Sequence, residues 1–237
     1  MDFELERKRM VVEQIAGRGL HDPRLLAAFE AAPRHLFVPK EYRQHAYADA
    51  PLPIGHGQTI SQPYIVALMT NLLELTGNER VLEVGTGSGY QAAILSQLAA
   101  EVHTVEIISE LARESERVLR EIGCANVHVH LADGSLGWLE AAPYDAILVA
   151  AAAPSAPQPL LDQLADGGRM VLPVGGQGYQ ELEVWVRDGE AFQQRSVIAV
   201  AFVPLRGEHG WRKGLNRKMS SSLVHAAIGF LIKIKNN

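Results

Sequence analysis

The sequence predicts an α/β protein with a mostly parallel sheet, a terminal antiparallel hairpin and an N-terminal helical cap. Strand-like and helix-like segments alternate between residues 81 and 175, which is typical of parallel strands joined by crossover helices. The first strand of this series leads into a glycine turn and a helix over residues 81–95, as in sheets that bind nucleotides. Two later strand-like segments flank Asp188-Gly189, a dipeptide that favours a hairpin turn.

The first 60 residues are expected to form the helical cap and a loop over the site. Residues 4–18 are amphipathic at helical spacing, and Asp22 followed by Pro23 is a helix start that supplies a side-chain cap and a proline at the first helical position. Residues 51–63 are rich in Gly and Pro, so we expect an irregular loop there, followed by a helix from Pro63 to about residue 75.

The remaining elements follow in alternation. The expected order is a strand at 81–84, a helix at 90–98, strands and helices at 102–107, 109–122, 127–133, 144–153, 157–164 and 168–175, and the hairpin. A chain of 237 residues that is 47% hydrophobic can bury one substantial core. We therefore predict a single domain over residues 1–211, with its core at 61–211. The segment 212–237 carries six Lys or Arg and no Asp or Glu, and we expect a flexible or non-native tail.

Charge and cysteine content limit the partners of this protein. Residues 1–211 carry sixteen Lys or Arg against twenty-seven Asp or Glu, an excess of acid that would repel a phosphate backbone, so no nucleic-acid partner is expected. Cys124 is the only cysteine, which excludes an intramolecular disulfide and a cysteine-based zinc site, and no metal site is expected. No apolar run approaches the roughly 20 residues that span a bilayer. We expect a cytoplasmic monomer with no membrane partner.

The glycine turn indicates which nucleotide is bound. Its glycines follow a G-x-G-x-G pattern rather than the G-x-G-x-x-G that places helix amides on a pyrophosphate, and Tyr90 stands where the third glycine would be. Pyrophosphate binding is therefore disfavoured. The strand before the turn contains an acid, Glu83, which could organise the turn or meet an ammonium group of the ligand. The glycines of the turn are Gly85, Gly87 and Gly89.

Two further acids stand at predicted strand ends on the same edge of the sheet. Glu106 follows Gly85 by 21 residues, where a carboxylate accepts hydrogen bonds from both ribose hydroxyls in folds of this type. Asp133 ends the next strand and could accept from an adenine amino group, while Gly134 leaves room for the ring. The alternative is that Glu106 and Asp133 are ordinary solvated acids.

Several segments resemble one family of S-adenosylmethionine-dependent methyltransferases with a Rossmann-like fold. Residues 51–75 read PLPIGHGQTISQPYIVALMTNLLEL, and the later segments read YDAILVAAAAP, QLADGGRMVLPVG and FVPLRG. Together they resemble the bacterial-type protein-L-isoaspartate (D-aspartate) O-methyltransferases over about residues 5–211. The resemblance implies a repair enzyme that methylates the free α-carboxylate of L-isoaspartyl residues, and by extension D-aspartyl residues, in peptides and damaged proteins. The ester then recloses to a succinimide.

The resemblance also assigns residues to the site. Ser61 matches the active-site serine, with Thr59 beside it, and Val203 matches a substrate-backbone contact. Matches to cofactor contacts are Gln62, Pro63, Tyr64, Ile65, Glu106, Ile107, Asp133 and Gly134. Tyr64 departs from relatives that carry His there. His56, in the proposed active-site loop, is a further candidate for substrate contact, and Ser61 has an alternative role as a helix N-cap.

Other functions remain open from the residues alone. A methyltransferase of the same fold that acts on a small molecule or RNA would share all of the cofactor residues. A nucleotide-binding module without catalysis and a nicotinamide-dependent oxidoreductase belong to other classes, and the glycine spacing disfavours the oxidoreductase.

Overall fold

The computed structural model describes residues 2–176 and 179–211. The cap begins with α1 (Phe3–Met10), whose amides at Glu4 and Leu5 donate to the Asp2 side chain. The chain continues helically through a π-helical turn (Val11–Ile15) and a 3-10 turn (Ala16–Arg18). These three pieces together account for the helix predicted over residues 4–18.

The second helix of the cap starts as the sequence predicts. The Asp22 side chain accepts hydrogen bonds from the amides of Arg24 and Leu25, and α2 (Pro23–Ala31) has its proline in the first turn. Two 3-10 turns, Arg34–Leu36 and Lys40–His45, lead out of the cap.

The loop predicted as irregular over residues 51–63 contains a small antiparallel ribbon. Its strands are β1 (Leu52–Gly55) and β2 (Gln58–Ile60), with Pro53 opposite Thr59. The prediction was wrong there because the glycines serve the turn rather than breaking the whole segment. Gly55, His56 and Gly57 all adopt positive φ, which reverses the chain tightly and lets the flanking residues pair. The helix α3 (Pro63–Leu72) follows the ribbon.

The central sheet has seven strands in the order β5-β4-β3-β6-β7-β8-β9. The first five are parallel, and β8 and β9 add antiparallel strands, so the predicted sheet and hairpin are confirmed. The strands are β3 (Arg80–Val84), β4 (Glu101–Glu106), β5 (Val127–Leu131), β6 (Tyr144–Val149), β7 (Leu164–Gly176), β8 (Tyr179–Asp188) and β9 (Ala191–Val200). The helices between them are α4 (Tyr90–Leu95), α5 (Ser109–Glu121) and α6 (Gln158–Asp162).

Strand order determines where a ligand can bind. From β3 the chain adds β4 and β5 on one side and then crosses to add β6 and β7 on the other. Such a reversal opens a crevice at the carboxyl ends of the strands. The sheet around it is buried on both faces: Val81 packs into the apolar cluster of the cap, α3 and α4, while the adjacent Leu82 packs into the cluster that includes Leu160 of α6.

In the described part of the chain, no helix is long and apolar enough to cross a membrane. The predicted tail at 212–237 lies outside the described residues.

Candidate functional site

A cleft opens at the carboxyl ends of β3 and β4, at the reversal in strand order. Its empty space is about 880 Å³ when the solvent-open mouth is included. The sequence-predicted residues that line it are Thr59, Ser61, Glu83, Gly85, Gly87, Glu106, Ile107, Gly134 and Val203. Residues from the ribbon, the glycine turn and the wall near Val203 are therefore brought together in one cavity.

The glycine turn and Glu106 hold each other. Gly85 (φ 93°) and Gly87 (φ 53°) adopt the left-handed conformation that favours glycine. The amide of Gly87 donates to Oε2 of Glu106 at 2.8 Å, and the amide of Ile108 donates to Oε1 at 2.9 Å. Glu106 is 5% exposed, so it is not an ordinary solvated acid. Each oxygen retains a second lone pair, and the turn fixes their orientation before any ligand arrives.

Glu83 is the most perturbed acid of the cleft. Its side chain is completely buried, Oε2 accepts from the Thr104 hydroxyl at 2.6 Å, and Oε1 has no hydrogen-bond partner among the described residues. Burial raises the pKa of Glu83 to about 8, and the nearby Glu106 adds to the rise. A buried carboxyl with one unused oxygen is suited to meet a cationic group.

The next strand end separates two residues that the sequence grouped together. Gly134 lines the cleft, and a Cβ placed on it would lie 2.7 Å from Cγ1 of Val84. Asp133 is not among the lining residues. Its Oδ1 accepts from the Ser135 amide at 2.9 Å and its Oδ2 from the Glu208 amide at 2.8 Å. The carboxylate of Asp133 thus holds a loop in place rather than facing the cavity.

Four of the expected cofactor contacts do not line the cleft: Gln62 is the N-cap residue of α3, and residues 63–65 form its first turn. The ring of Tyr64 stacks under Arg18, whose guanidinium carbon lies 3.3 Å from the ring centroid. His56 is exposed at the tip of the ribbon, outside the cleft. Gly89 also lies outside it, and a Cβ there would be 3.1 Å from Cβ of Ser115, so this glycine allows the turn to pack against α5.

Ser61 does not cap α3. The cap position belongs to Gln62, which makes no side-chain capping bond. Within residues 2–176 and 179–211, the Ser61 hydroxyl has no hydrogen-bond partner; only its carbonyl oxygen is engaged, by Nη2 of Arg34 at 2.7 Å. The hydroxyl is therefore available to a ligand in the cleft.

Residues 202–206 form a wall of the cleft, and this wall is held at its backbone. The Ala152 amide donates to the Val203 carbonyl, and the Leu205 amide donates back to the Ala152 carbonyl, both at 2.8 Å. The Gln180 side chain also binds the backbone of Phe202: its Nε2 donates to the Phe202 carbonyl, and its Oε1 accepts from the Phe202 amide. The wall carrying Val203 is therefore rigidly attached to the end of β6.

The sequence analysis missed several lining residues. Val66 and Met69 of α3 line the cleft, as does Gln91, which donates to the Thr70 hydroxyl at 2.8 Å. Helical spacing relates the first two, since positions 66 and 69 share one face of a helix. Further lining residues are Gln58, Ile60, Thr86, Ser88, Tyr90, Ala150, Ala151, Phe202, Leu205 and Arg206.

The site is built for a nucleoside that carries a cation rather than a pyrophosphate. Tyr90 fills the place of a third glycine and is buried, with Phe37 5.5 Å away between ring centroids. Glu106 puts a carboxylate, which repels phosphate, beside the glycine turn. The fold and the site define a Rossmann-like methyltransferase that uses S-adenosylmethionine.

Comparison with known proteins identifies the family of methyltransferases to which the chain belongs. The sequence profile of the protein-L-isoaspartate(D-aspartate) O-methyltransferase family matches residues 6–210, and the chain belongs to that family. A protein-L-isoaspartate O-methyltransferase of Methanoregula boonei is 56% identical over 87% of this chain and 95% of its own. One of Trichlorobacter lovleyi is 54% identical over 90% of this chain and 98% of its own.

Solved structures agree on the fold. A protein-L-isoaspartate O-methyltransferase aligns with a TM-score of 0.80 and 26% identity, over 86% of this chain and 67% of its own. A putative Plasmodium falciparum protein-L-isoaspartate O-methyltransferase, solved in complex with S-adenosyl-L-homocysteine, aligns with a TM-score of 0.74 and 23% identity, over 84% of this chain and 98% of its own.

Proposed function

We propose that this chain transfers a methyl group from S-adenosyl-L-methionine to the free α-carboxylate of L-isoaspartyl residues in peptides and damaged proteins. The resulting ester recloses to a succinimide, from which normal aspartate can re-form. The observation that carries the proposal is that the Ser61 hydroxyl, which has no partner among the described residues, lies in the same cleft as Glu83 and Glu106, in a chain that belongs to the isoaspartyl family.

The residues of the cleft fit the proposed methyl donor. Glu106 can accept from two ribose hydroxyls, and Ile107, an apolar side chain that is 44% exposed, offers a surface to an adenine ring. Gly134 provides close approach for the same ring, because any side chain there would collide with Val84. The unused oxygen of Glu83 is suited to the ammonium group. When bound, the donor supplies an electrophilic methyl group on a sulfonium centre.

The acceptor half of the cleft needs no general base. A carboxylate is already ionised and nucleophilic at neutral pH. Its charge and that of the sulfonium are neutralised along the reaction, so a cation clamped on the carboxylate would stabilise the ground state more than the transition state. The uncharged hydroxyls of Ser61 and Thr59 can instead orient it. Orientation of this kind can contribute about 7 to 11 kcal/mol.

We propose supporting roles for the other predicted residues. The fixed wall at Val203 would guide the backbone of the substrate, and His56 would approach it only at the mouth of the cleft. Residues 62–65 would support Ser61 from behind rather than contact the donor. Asp133 would keep the loop at Glu208 in place. We also propose a cytoplasmic monomer without nucleic-acid or membrane partners, consistent with its single cysteine and excess of acidic residues.

The decisive experiment compares peptides that differ only in one residue: L-isoaspartate, D-aspartate or L-aspartate. Incubation with methyl-labelled S-adenosylmethionine should give a base-labile methyl ester on the isoaspartyl peptide and none on the L-aspartyl peptide; the D-aspartyl peptide measures the breadth of the site. Label on RNA or a small molecule, with none on the isoaspartyl peptide, would refute the proposal. The names of the relatives do not favour those acceptors.

Ser61→Ala tests the role of the hydroxyl. The change should lower kcat/KM for the isoaspartyl peptide by about a hundredfold while leaving the binding of S-adenosyl-L-homocysteine and the melting temperature close to wild type. Ser109→Ala, which removes a hydroxyl outside the cleft, is the matched control. A folded Ser61→Ala protein with full activity would exclude the orienting role.

A further inference from the structure

Arg34 joins the cap to the residue that carries the proposed acceptor hydroxyl. Its guanidinium is completely buried, with Nε donating to the Ala46 carbonyl and Nη2 to the Ser61 carbonyl, both at 2.7 Å. Its carbon lies 4.8 Å from the ring centroid of Tyr90, which lines the cleft. Burial lowers the pKa of Arg34 to about 10, so the side chain is still charged at neutral pH. Burying a charge costs free energy, and here the buried guanidinium is stabilised by hydrogen bonds to backbone carbonyls.

Asp49 holds the other end of the same short segment. Its Oδ1 accepts from the Tyr64 amide at 3.2 Å, and its Oδ2 accepts from Arg18 at 2.8 Å. The first turn of α3 has no side-chain cap from Gln62, so Asp49 performs the capping from the loop that precedes the ribbon. Arg18 also stacks on the Tyr64 ring, so Arg18, Asp49 and Tyr64 all contact one another.

We propose that Arg34 and Asp49 are positioning residues for methyl transfer, which fix the backbone at Ser61 and Tyr64 so that the Ser61 hydroxyl is preset for the acceptor carboxylate. The inference rests on the proposed function. It also explains why a cation this close to the site need not quench the acceptor: Arg34 is not among the lining residues of the cleft. Its hydrogen bond reaches Ser61 only through the main-chain carbonyl.

The geometry makes a lysine a poor substitute. An ammonium on a flexible stem cannot reproduce the planar fork that reaches two carbonyls at once. Arg34→Lys should therefore keep the positive charge but release either Ala46 or Ser61. Arg24 provides a matched control, because its Nη1 and Nη2 also donate to two carbonyls, those of Leu75 and Leu98, at 3.0 and 3.2 Å.

The experiment uses the full chain and measures five quantities. These are kcat and KM for an isoaspartyl peptide, the Kd of S-adenosyl-L-homocysteine, the melting temperature, and amide exchange across residues 61–66. Arg34→Lys should lower kcat by about ten- to a hundredfold, as expected for a small misplacement of an orienting group, and increase exchange at 61–66. The Kd should stay within about twofold of wild type. Arg24→Lys should leave kcat unchanged at temperatures below its melting transition.

Asp49 supplies the second test, which still probes the positioning of the backbone at Ser61 and Tyr64 if Arg34→Lys does not fold. Asp49→Ala removes the acceptor for the Tyr64 amide and should lower kcat by about tenfold. Asp49→Asn retains an oxygen there and should preserve most of the activity. A purely structural role would lower the melting temperature of these variants and leave kcat intact.

Each outcome either supports or overturns the role of one residue. A folded Arg34→Lys protein with wild-type kcat overturns the role of Arg34, and a folded Asp49→Ala protein with wild-type kcat overturns that of Asp49. Failure of the proposed function is separate, because the wild-type chain itself would then leave the isoaspartyl peptide unmethylated.

Discussion

Glu83 should make the cofactor-free protein less stable as the pH rises through neutrality. The folded pKa is about 8 because burial disfavours the ionised carboxyl, whereas the ordinary value is 4.5. Between these values the folded chain binds one proton more than the unfolded chain at this site. The contribution is therefore fully present below about pH 4.5 and is lost as the pH rises to about 8.

The size of the effect follows from the shift. One pKa unit corresponds to 1.36 kcal/mol, so the loss in unfolding free energy from pH 4.5 to pH 8 is about 4 kcal/mol at most. Glu83→Gln removes the titration and keeps an oxygen that can accept from Thr104. The difference in stability between the variant and the wild type should therefore grow in favour of the variant across this range.

Urea denaturation of the cofactor-free proteins at pH 5, 6, 7 and 8 measures this difference. Glu140→Gln, at an exposed acid outside the cleft, is the control and should run parallel to wild type. If Glu83→Gln also runs parallel, Glu83 is ionised in the folded protein and the reasoning from burial fails.

The same carboxyl gives a signature of cofactor binding. If Glu83 receives the ammonium group, it must ionise, and S-adenosyl-L-homocysteine binding at pH 7 should release close to one proton. Calorimetry in buffers with different ionisation enthalpies counts that proton. Glu83→Gln should release none, and identical buffer dependence in the two proteins would place the ammonium group elsewhere.

Three further changes follow from individual contacts. Gly134→Ala should weaken S-adenosyl-L-homocysteine binding by about tenfold or more and cost about 1 to 3 kcal/mol of stability, because its Cβ would meet Val84; calorimetry and thermal melts measure both, and Val84→Ala in the same chain should restore part of the loss. In the wild type, the Glu208 amide donates a hydrogen bond to the Asp133 carboxylate. Asp133→Ala should therefore speed hydrogen exchange of that amide, and unchanged exchange would contradict the role of Asp133 in holding the loop. Burial and the neighbouring histidines lower the pKa of His130 to about 4. Its contribution to stability is therefore present above pH 6.5 and lost as the pH falls through 4. His130→Phe should reduce the fall in unfolding free energy between pH 6.5 and 4, measured by urea denaturation.

Local chemistry explains which elements the sequence predicts well. The Asp22 cap and the Asp188-Gly189 hairpin each depend on residues within a few positions of one another, and both appear as expected. Glu106 is also placed correctly at the end of its strand, because strand ends and glycine turns have clear signals.

Long-range partners explain what the sequence analysis could not predict. Asp133 accepts a hydrogen bond from an amide 75 residues away, and Arg34 donates one to a carbonyl 27 residues away. No spacing rule in the sequence links such positions. Gly89 is required for packing against Ser115 of α5, although the pattern of the turn suggested ligand contact. The ribbon at 52–60 depends on three consecutive residues of positive φ, one of which is a histidine that gives no such signal.

The two halves of the cleft differ in how they are tied to the sheet. The proposed donor half is built into the ends of β3 and β4, whereas the proposed acceptor half consists of the ribbon and the wall segment at Val203, which contribute no strand to the parallel core. Selection could therefore alter the acceptor by exchanging these two surface segments while the strand pairing persists. If Arg34 positions Ser61 as proposed, any such exchange would have to preserve their contact, and the cap would then evolve together with acceptor specificity rather than with donor affinity.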